Sequence, residues 1–289
     1  MTSQERIRLA LSLQEPDRVP IHDSIWETTV RRWHKEGLPE EQTPDDYFKF
    51  EIVQIYFDLS LQIKEEKIEE TDDYIVIRTG NGALRKDWKN MTSTPEMVDF
   101  TVKNKDDWFR LKKKMVMNDK RIDLNLQKKI YNEAKRKGKF ICLAAAMGYD
   151  YTQSILGTEK LLITLAEDPE WANDIFVTLS DMIIKAAERF RELGFSYDGI
   201  NLFDDMGYRN STLFSPETYK NVLFPAHKNT CDYFRSRNIP IILHSCGCVK
   251  SFIPFFIELG ISCLEPLEVK AGMDVIELKK KYGKEIAFM

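Results

Sequence analysis

The sequence predicts an α/β fold with a parallel sheet, specifically a (β/α)8 TIM-type barrel that lacks its last β-α unit. The second half of the chain alternates buried strand-like runs with helical segments through short connections, the pattern of a parallel sheet. Polar residues follow these runs, at the strand ends where such barrels carry their chemistry. No G-x-G-x-x-G or Walker loop occurs, whereas a doubly wound sheet usually carries a phosphate-binding loop of that kind.

The first fifty residues predict three helices and one strand. Ser3 caps a short helix that Pro16 ends. Residues 18–22 follow as a short strand, the first candidate for the sheet. Residues 26–36 form the next helical stretch, and Thr43 caps a further helix that has a proline at its first position.

Residues 57–88 predict an antiparallel hairpin that departs from the main sheet. Apolar and polar residues alternate along residues 59–63 and again along residues 74–78. Gly-Asn-Gly at 80–82 forms a turn, and residues 83–88 return as a paired strand. The charged stretch 104–137 is helical in pattern and mostly a solvated surface.

From residue 139 onward, short apolar runs predict strands that are buried on both faces. These strands are residues 140–146, 197–203, 239–244, 261–264 and 285–289. Asp168 caps a long helix whose apolar residues fall at three- and four-residue steps, so that this stripe packs into the core. Shorter helices are expected at 159–166, from Ser215 with a kink at Pro225, at 252–259 and at 274–282.

Composition sets broad limits on the class of protein. The chain has 289 residues, of which 43% are hydrophobic and 30% charged, as in a globular protein, and we expect a single domain over residues 1–289. A net charge of −4 gives no support for a nucleic acid or an anionic membrane as partner. The sequence has no stretch typical of a transmembrane helix or a signal peptide. Five cysteines without regular spacing favour free thiols in a reducing, cytoplasmic compartment.

His244 and Cys246 are the first candidates for chemistry. They end a buried strand, and residues two apart in an extended chain project to the same side. An imidazole and a thiolate at one point are half of a zinc site, because zinc takes nitrogen and sulfur ligands. The alternative is a core histidine beside a buried free thiol.

Further polar residues follow the neighbouring strands. Asp204 and Asp205 end one strand, and we expect at least one of these two catalytic candidates to act at the site. The alternative is a strand-end turn in which one carboxylate caps the next segment. Glu265 ends another strand, where it would bind substrate or orient His244.

Four more residues are candidates for lining a substrate pocket. Met147 and Tyr149 follow the strand at 140–146, and core packing explains them equally well. Trp26 and Glu27 lie near the N-terminus, where Trp26 is as compatible with packing as with binding.

Several segments together resemble the uroporphyrinogen decarboxylase superfamily, which includes cobalamin-dependent methyltransferases. The resemblance covers essentially the whole chain, and its motifs are specific in combination. They are Glu5-Arg6-Ile7, Pro16-Asp17-Arg18-Val19-Pro20, Phe203-Asp204-Asp205-Met206-Gly207, Ser215-Pro216-Glu217-Thr218-Tyr219 and Leu243-His244-Ser245-Cys246-Gly247.

This resemblance implies a (β/α)8 barrel and favours the methyltransferase branch. That branch holds zinc through a histidine and a cysteine at the positions of His244 and Cys246, with a second cysteine that would lie beyond Met289. The branch moves methyl groups from corrinoid proteins to thiols. We therefore expect zinc as cofactor, a methylcobalamin-type corrinoid supplied by a partner protein, and a small thiol as substrate.

Other functions remain open at the level of the sequence. Ser24 to Thr29 replace the arginine-rich loop with which true decarboxylases hold porphyrin carboxylates, so a uroporphyrinogen-type decarboxylation without metal is a weaker alternative. A second alternative is a non-catalytic remnant that binds a corrinoid or tetrapyrrole. The missing barrel unit predicts either a fragment or a partner chain that closes the gap, which includes a homo-oligomer. Cys248 is a substitute third zinc ligand by composition alone.

Overall fold

The computed structural model describes residues 1–90 and 95–289 and contains two separate sheets. Six parallel strands form the main sheet in the order β1-β6-β7-β8-β9-β10, and four antiparallel strands form the second sheet in the order β2-β3-β4-β5. The strands are β1 Ile52–Tyr56, β2 Glu66–Glu70, β3 Tyr74–Arg78, β4 Leu84–Trp88, β5 Glu96–Asp99, β6 Phe140–Ala146, β7 Gly199–Phe203, β8 Ile241–His244, β9 Cys263–Glu265 and β10 Ala287–Phe288.

Three α-helices among the described residues precede β1, and the others lie between or after the strands. The helices are α1 Ser3–Leu11, α2 Glu27–Glu36, α3 Pro44–Tyr47, α4 Lys105–Lys112, α5 Leu124–Arg136, α6 Gly148–Leu156, α7 Thr158–Glu167, α8 Pro169–Glu192, α9 Pro216–Thr218, α10 Phe224–Arg235, α11 Ile253–Leu259 and α12 Val275–Tyr282. Within the described ranges, none of these helices combines the length and apolarity that crossing a bilayer requires. The long helix α8 begins as predicted, since the Asp168 side chain accepts a hydrogen bond from the Trp171 amide and Pro169 takes the first position.

The main sheet is apolar on both faces, because parallel strands are covered on both sides. Leu143 and Ile241 face the helices and join the larger core. Phe140 and Cys142 point to the opposite face and pack with Ile7 of α1. Helix α1 therefore covers the amino-terminal part of this second face, and the strand ends beyond it carry the polar residues described below.

A buried ion-pair network fixes the segment that follows α1. Arg6 binds Asp17 through its Nε atom at 2.6 Å and also pairs with Glu51. Glu51, which is 1% exposed, accepts a hydrogen bond from the Ile21 amide at 2.7 Å. These contacts hold residues 18–22 as irregular chain, so the strand predicted there is wrong. The first strand of the sheet is β1 instead.

The predicted hairpin at 57–88 is confirmed in its second half only. β3 and β4 pair antiparallel, as expected, but the sheet also includes β2 and β5. Leu59 and Leu61 are buried but lie in irregular chain. The guanidinium of Arg121 satisfies that backbone by donating to the carbonyls of Asp58 and Ser60, each at 2.8 Å.

The structure confirms a parallel α/β sheet and a separate antiparallel sheet. Among the residues that the structure describes, no pairing joins β10 to β1, so the six strands form an open row. Closure into a (β/α)8 barrel stays a prediction.

Candidate functional site

The carboxyl ends of β7, β8 and β9 bring three side chains side by side. In the strand register, Phe203 lies opposite His244, and His244 lies opposite Glu265. Residues opposite each other on neighbouring strands share one face of a sheet. The ring of Phe203 lies 5.5 Å from the ring of His244, measured between centroids. An apolar wall therefore adjoins a polar cluster.

His244, Cys246 and Asp205 converge at this edge, as the sequence suggested for the first two. The Sγ atom of Cys246 is 3.4 Å from Nε2 of His244, and Oδ1 of Asp205 is 3.6 Å from the same nitrogen. One ligand atom from each residue lies within 4.8 Å of the other two. All three side chains are partly accessible to solvent. A small substrate can therefore reach this group.

Two loops in close contact set the position of Cys246. The Cys246 amide donates a hydrogen bond to Oδ1 of Asp205 at 2.8 Å. Gly207 and Gly247 allow this approach, because a Cβ atom on Gly207 would lie 2.4 Å from the Cys246 carbonyl oxygen. Gly247 also adopts a φ of +79°, which glycine tolerates best. The loop after β7 thus packs directly against the loop after β8.

Acidic side chains dominate the electrostatics around the thiol. Burial, together with the carboxylates of Asp205 and Glu268, raises the pKa of Cys246 to about 12. Glu268 also accepts a hydrogen bond from the Gly247 amide at 3.2 Å. A thiol in these surroundings keeps its proton unless a cation compensates the charge.

Glu265 lies on the other side of His244. Its Oε2 atom is 3.6 Å from Nδ1 of the imidazole, and Asn201 donates to its Oε1 atom at 3.4 Å. Burial lowers the pKa of His244, but the hydrogen bond and charge of Glu265 outweigh burial and raise it overall. Burial acts to raise the pKa of Glu265, while the contact with His244 lowers it on balance. Glu265 therefore orients the ring.

Asp204 and Asp205 occupy opposite environments although they are neighbours. Asp205 belongs to the cluster with His244 and Cys246, whereas Asp204 is fully buried. Oδ1 of Asp204 accepts a hydrogen bond from the Asp150 amide at 2.7 Å, and Oδ2 lies 2.9 Å from Nε2 of His227. Asp204 thus faces the helix layer and has no access to a substrate.

The other predicted pocket residues lie in two different places. Met147 and Tyr149 are buried, and Tyr149 packs on Phe214 with a centroid distance of 5.2 Å. Trp26 and Glu27 line a separate cleft of about 660 Å³, together with Thr28, Arg31, Arg32, Lys35, Asp87, Trp88, Lys89, Asn90 and Pro95. No member of the histidine–cysteine cluster lines that cleft.

The sequence analysis missed two acidic residues near the site, Asp150 and Glu268. It also left undecided whether Cys248 is a zinc ligand. Burial raises the pKa of Asp150 to about 6, with further contributions from Asp204 and Asp205. Asp150 follows β6 by four residues, and its place after a barrel-type strand was the available signal. Glu268 follows β9 in the same way. Cys248 lies outside the metal-type cluster and pairs through its amide with the Tyr208 carbonyl oxygen at 2.7 Å.

Comparison with known proteins places this geometry in a family. The sequence profile of the family described as uroporphyrinogen decarboxylase (URO-D) matches residues 93–289, more than half of the chain. The chain belongs to the URO-D family. The matched region includes every residue of the histidine–cysteine cluster and its acidic neighbours.

Individual URO-D relatives come from the methyltransferase branch. A curated methylated-thiol–coenzyme M methyltransferase of Methanosarcina mazei is 28% identical over 109 residues, which is 38% of this chain and 28% of the relative. The match thus spans less than a third of that protein's length. A solved methyltransferase structure from Methanosarcina mazei has a TM-score of 0.65 and 16% identity, and the match covers 100% of this chain and 82% of the other. At that identity the likeness shows the fold alone.

The two ligand distances from Nε2 of His244 in this URO-D chain fit a zinc ion. Zinc bonds of about 2.0–2.3 Å in a tetrahedron separate nitrogen, oxygen and sulfur ligands by about 3.4–3.6 Å. The observed separations from Nε2 of His244 are 3.4 Å to the Cys246 sulfur and 3.6 Å to the Asp205 oxygen. A divalent cation would also turn the protonated Cys246 into a thiolate and offset the surrounding carboxylates.

Proposed function

We propose that this chain is a zinc-dependent methyltransferase that moves a methyl group between a corrinoid protein and a small thiol. The observation that carries the proposal is the convergence of Nε2 of His244, Sγ of Cys246 and Oδ1 of Asp205 at the strand ends. Two comparisons support the reaction class. The chain belongs to the URO-D family, and a curated relative is a methylated-thiol–coenzyme M methyltransferase. The corrinoid partner follows from the resemblance to the cobalamin-dependent branch, and the proposed frame is a (β/α)8 barrel.

In this proposal three protein ligands hold zinc and leave one position open, as in catalytic zinc sites. His244, Cys246 and Asp205 are those ligands. When bound, zinc would lower the pKa of an incoming thiol, so that its thiolate is available at neutral pH. That sulfur would form a bond to the methyl carbon while the cobalt–carbon bond of the corrinoid breaks and leaves its electron pair on cobalt.

The neighbouring residues supply orientation and a proton acceptor. The Glu265 carboxylate lies 3.6 Å from Nδ1 of His244, which favours a proton on that nitrogen and leaves Nε2 free to bind a metal. Asp150, with its pKa of about 6, is poised to accept the proton of the substrate thiol. Phe203 provides apolar surface beside the imidazole and limits the access of water.

Charge favours this reaction over decarboxylation of a uroporphyrinogen-type substrate. Four carboxylates, those of Asp150, Asp205, Glu265 and Glu268, surround the accessible thiol and imidazole. A substrate with many carboxylates needs cations there. Arg31 and Arg32 line the separate cleft with Trp26 and lie outside the cluster.

The test combines metal analysis with a methyl-transfer assay. The full chain, loaded with zinc and dialysed, should retain one zinc per chain and should demethylate methylcobalamin when a thiol is added, followed by the absorbance change of the corrinoid. Cys246→Ala should lose both properties, because it removes one ligand and the thiolate charge. Release of carbon dioxide from a carboxylated substrate that survives chelation would instead support the decarboxylase.

Cys248→Ala is the matched control. It removes a cysteine two residues away that lies outside the cluster, so zinc content and methyl transfer should stay at the wild-type level. A wild-type chain that retains no zinc, or a Cys246→Ala variant that retains it fully, would contradict the proposal. Corrinoid binding without turnover would point to the non-catalytic alternative.

A further inference from the structure

A column of three buried polar side chains lies behind the proposed metal site. Tyr219 is fully buried, and its hydroxyl oxygen is 2.9 Å from Nδ1 of His227. His227 is 2% exposed, and its Nε2 atom lies 2.9 Å from Oδ2 of Asp204. The order Tyr219–His227–Asp204 therefore runs from the helix layer to the residue next to Asp205.

The contact between His227 and Asp204 is short but poorly aligned. Neither Nε2 of His227 nor Oδ2 of Asp204 has another polar partner among the described residues. A buried polar atom without a partner is costly, so each of these two atoms depends on the other. The backbone of Gly148 closes over the pair, since a Cβ there would lie 2.8 Å from Nε2 and 3.2 Å from Oδ2.

A π-helical turn at Tyr219–Leu223 brings Tyr219 and His227 to the same side of their helix. In an α-helix, eight residues advance 800°, which leaves Tyr219 and His227 about 80° apart around the axis. One extra residue in a wide turn reduces that separation to about 20°. The turn precedes Pro225, which has no amide hydrogen to donate. Such turns recur at functional sites, and here the turn serves a contact eight residues along the chain.

Asp204 links the column to three segments of the site. Its side chain accepts from the Asp150 amide, at the start of α6. Its own amide donates to the His244 carbonyl oxygen at 2.8 Å, at the end of β8. Asp205 is the next residue along the chain. Restraining Asp204 therefore restrains the backbone from which the Asp205 carboxylate reaches the cluster.

We propose that the Tyr219–His227–Asp204 column positions the Asp205 carboxylate, and that Asp204 is a positioning residue that acts without contacting metal or substrate. This inference deepens the proposed function and rests on it where zinc is concerned. It assigns different roles to the two adjacent acids. It also assigns a structural role to the π-helical turn, because a regular α-helical turn there would rotate Tyr219 away from His227.

A role in positioning and a role as a charge predict different results for Asp204→Asn. The asparagine oxygen can still accept from the Asp150 amide, and its amide can donate to Nε2 of His227. The imidazole then carries its proton on Nδ1 and donates to the Tyr219 oxygen, so the column keeps its contacts with reversed donor direction. Asp204→Ala, in contrast, removes both contacts.

The experiment compares these two variants with Thr230→Val in the full chain. Thr230 shares the buried face of α10 with His227, and it bonds Ser180 at 2.7 Å but is not part of the column. Zinc affinity is measured by competition with a chromophoric chelator. Hydrogen–deuterium exchange of residues 147–155 and 204–212 is measured on the metal-free chain.

We expect Asp204→Ala to weaken zinc binding by about tenfold or more and to speed exchange in both segments. Asp204→Asn should stay within about threefold of the wild type, as should Thr230→Val in spite of its lost hydrogen bond. Equal losses in Asp204→Asn and Asp204→Ala would overturn the proposal, because the charge would then matter.

The proposal also remains testable if a variant folds poorly or if the wild type binds no zinc. His227→Gln keeps an amide donor near the position of Nε2 and should retain slow exchange, whereas unchanged exchange in every column variant would overturn the proposal. A wild-type chain without zinc affinity would contradict the proposed function alone. The exchange of the Asp150 amide in the metal-free chain would still decide whether the column positions this loop.

Discussion

Replacing Gly207 by alanine should separate the two loops that bring Cys246 to Asp205. The added Cβ would lie 2.4 Å from the Cys246 carbonyl oxygen, 2.7 Å from the Gly247 carbonyl carbon and 2.8 Å from the Cys248 amide nitrogen. All three atoms belong to backbone, which no side-chain rotation can clear. Ordinary contact needs about 3.5 Å, so the loops must move apart by about 0.7–1.1 Å.

The substitution should change two measured quantities, the stability of the fold and the affinity for zinc. Overpacking of this kind costs about 1–3 kcal/mol of unfolding free energy. At about 2–4 °C per kcal/mol, the melting temperature should fall by about 2–12 °C. Metal sites require ligand distances within about 0.2 Å of ideal values, so the same displacement should weaken zinc binding by about tenfold or more.

The assay pairs thermal unfolding with zinc competition, and Gly194→Ala is the matched control. Gly194 follows α8 with a φ of +86°, and the space that a methyl group would occupy there is open, so alanine costs backbone strain of about 1–2 kcal/mol without a clash. It should lower the melting temperature and leave zinc affinity unchanged. Wild-type zinc affinity in Gly207→Ala, or an equal loss in Gly194→Ala, would refute the reasoning.

Two further predictions concern charge. Glu265→Gln should weaken zinc binding by about 10- to 100-fold, because His244 loses the carboxylate that orients its ring; the exposed Glu258→Gln removes the same charge and should leave the affinity unchanged. Arg6 lowers the pKa of Asp17 to about 2, below its value of about 3.9 in an unfolded chain, so this stabilisation is complete above about pH 4 and is lost as the pH falls toward 2. Denaturant unfolding of Asp17→Asn should show a shallower loss of stability across that window, and the same slope as the wild type would contradict the pairing.

The second half of the fold could be predicted because its strands are continuous apolar runs. The parallel strands β6, β7, β8 and β9 follow the predicted ranges closely, and each is buried along most of its length. The first half was harder, because burial there does not follow the strand pattern. Leu59 and Leu61 alternate like a strand, but Arg121, sixty residues away, donates to the carbonyls of the adjacent Asp58 and Ser60 and holds the segment as irregular chain. Long-range contacts of this kind leave no local signal.

The candidate site shows the same limit. His244 and Cys246 were recognisable because their spacing alone places both on one side of an extended chain. Asp150 lies in the first turn of α6 and Glu268 follows β9, and only the sheet brings these two segments together. The effect of Glu268 on the thiol and of Asp205 on Asp150 therefore needed the register of the strands. The sequence predicted a kink at Pro225 but not the π-helical turn at Tyr219–Leu223. The effect of that turn is to rotate Tyr219 toward His227, a contact that the local sequence does not reveal.

The adjacent acids after β7 show why composition cannot assign roles at a strand end. Successive residues point to opposite sides of the chain, so one carboxylate of such a pair faces the open edge and the other faces the helices. Asp205 is 40% exposed in its side chain and Asp204 is fully buried. Only Asp205 can therefore meet a metal or a substrate, while Asp204 requires internal partners, which His227 and the Asp150 amide provide. In the proposed site, replacement of either acid by alanine should reduce zinc binding, whereas replacement by asparagine should preserve it only at Asp204, where the contacts matter and the charge does not.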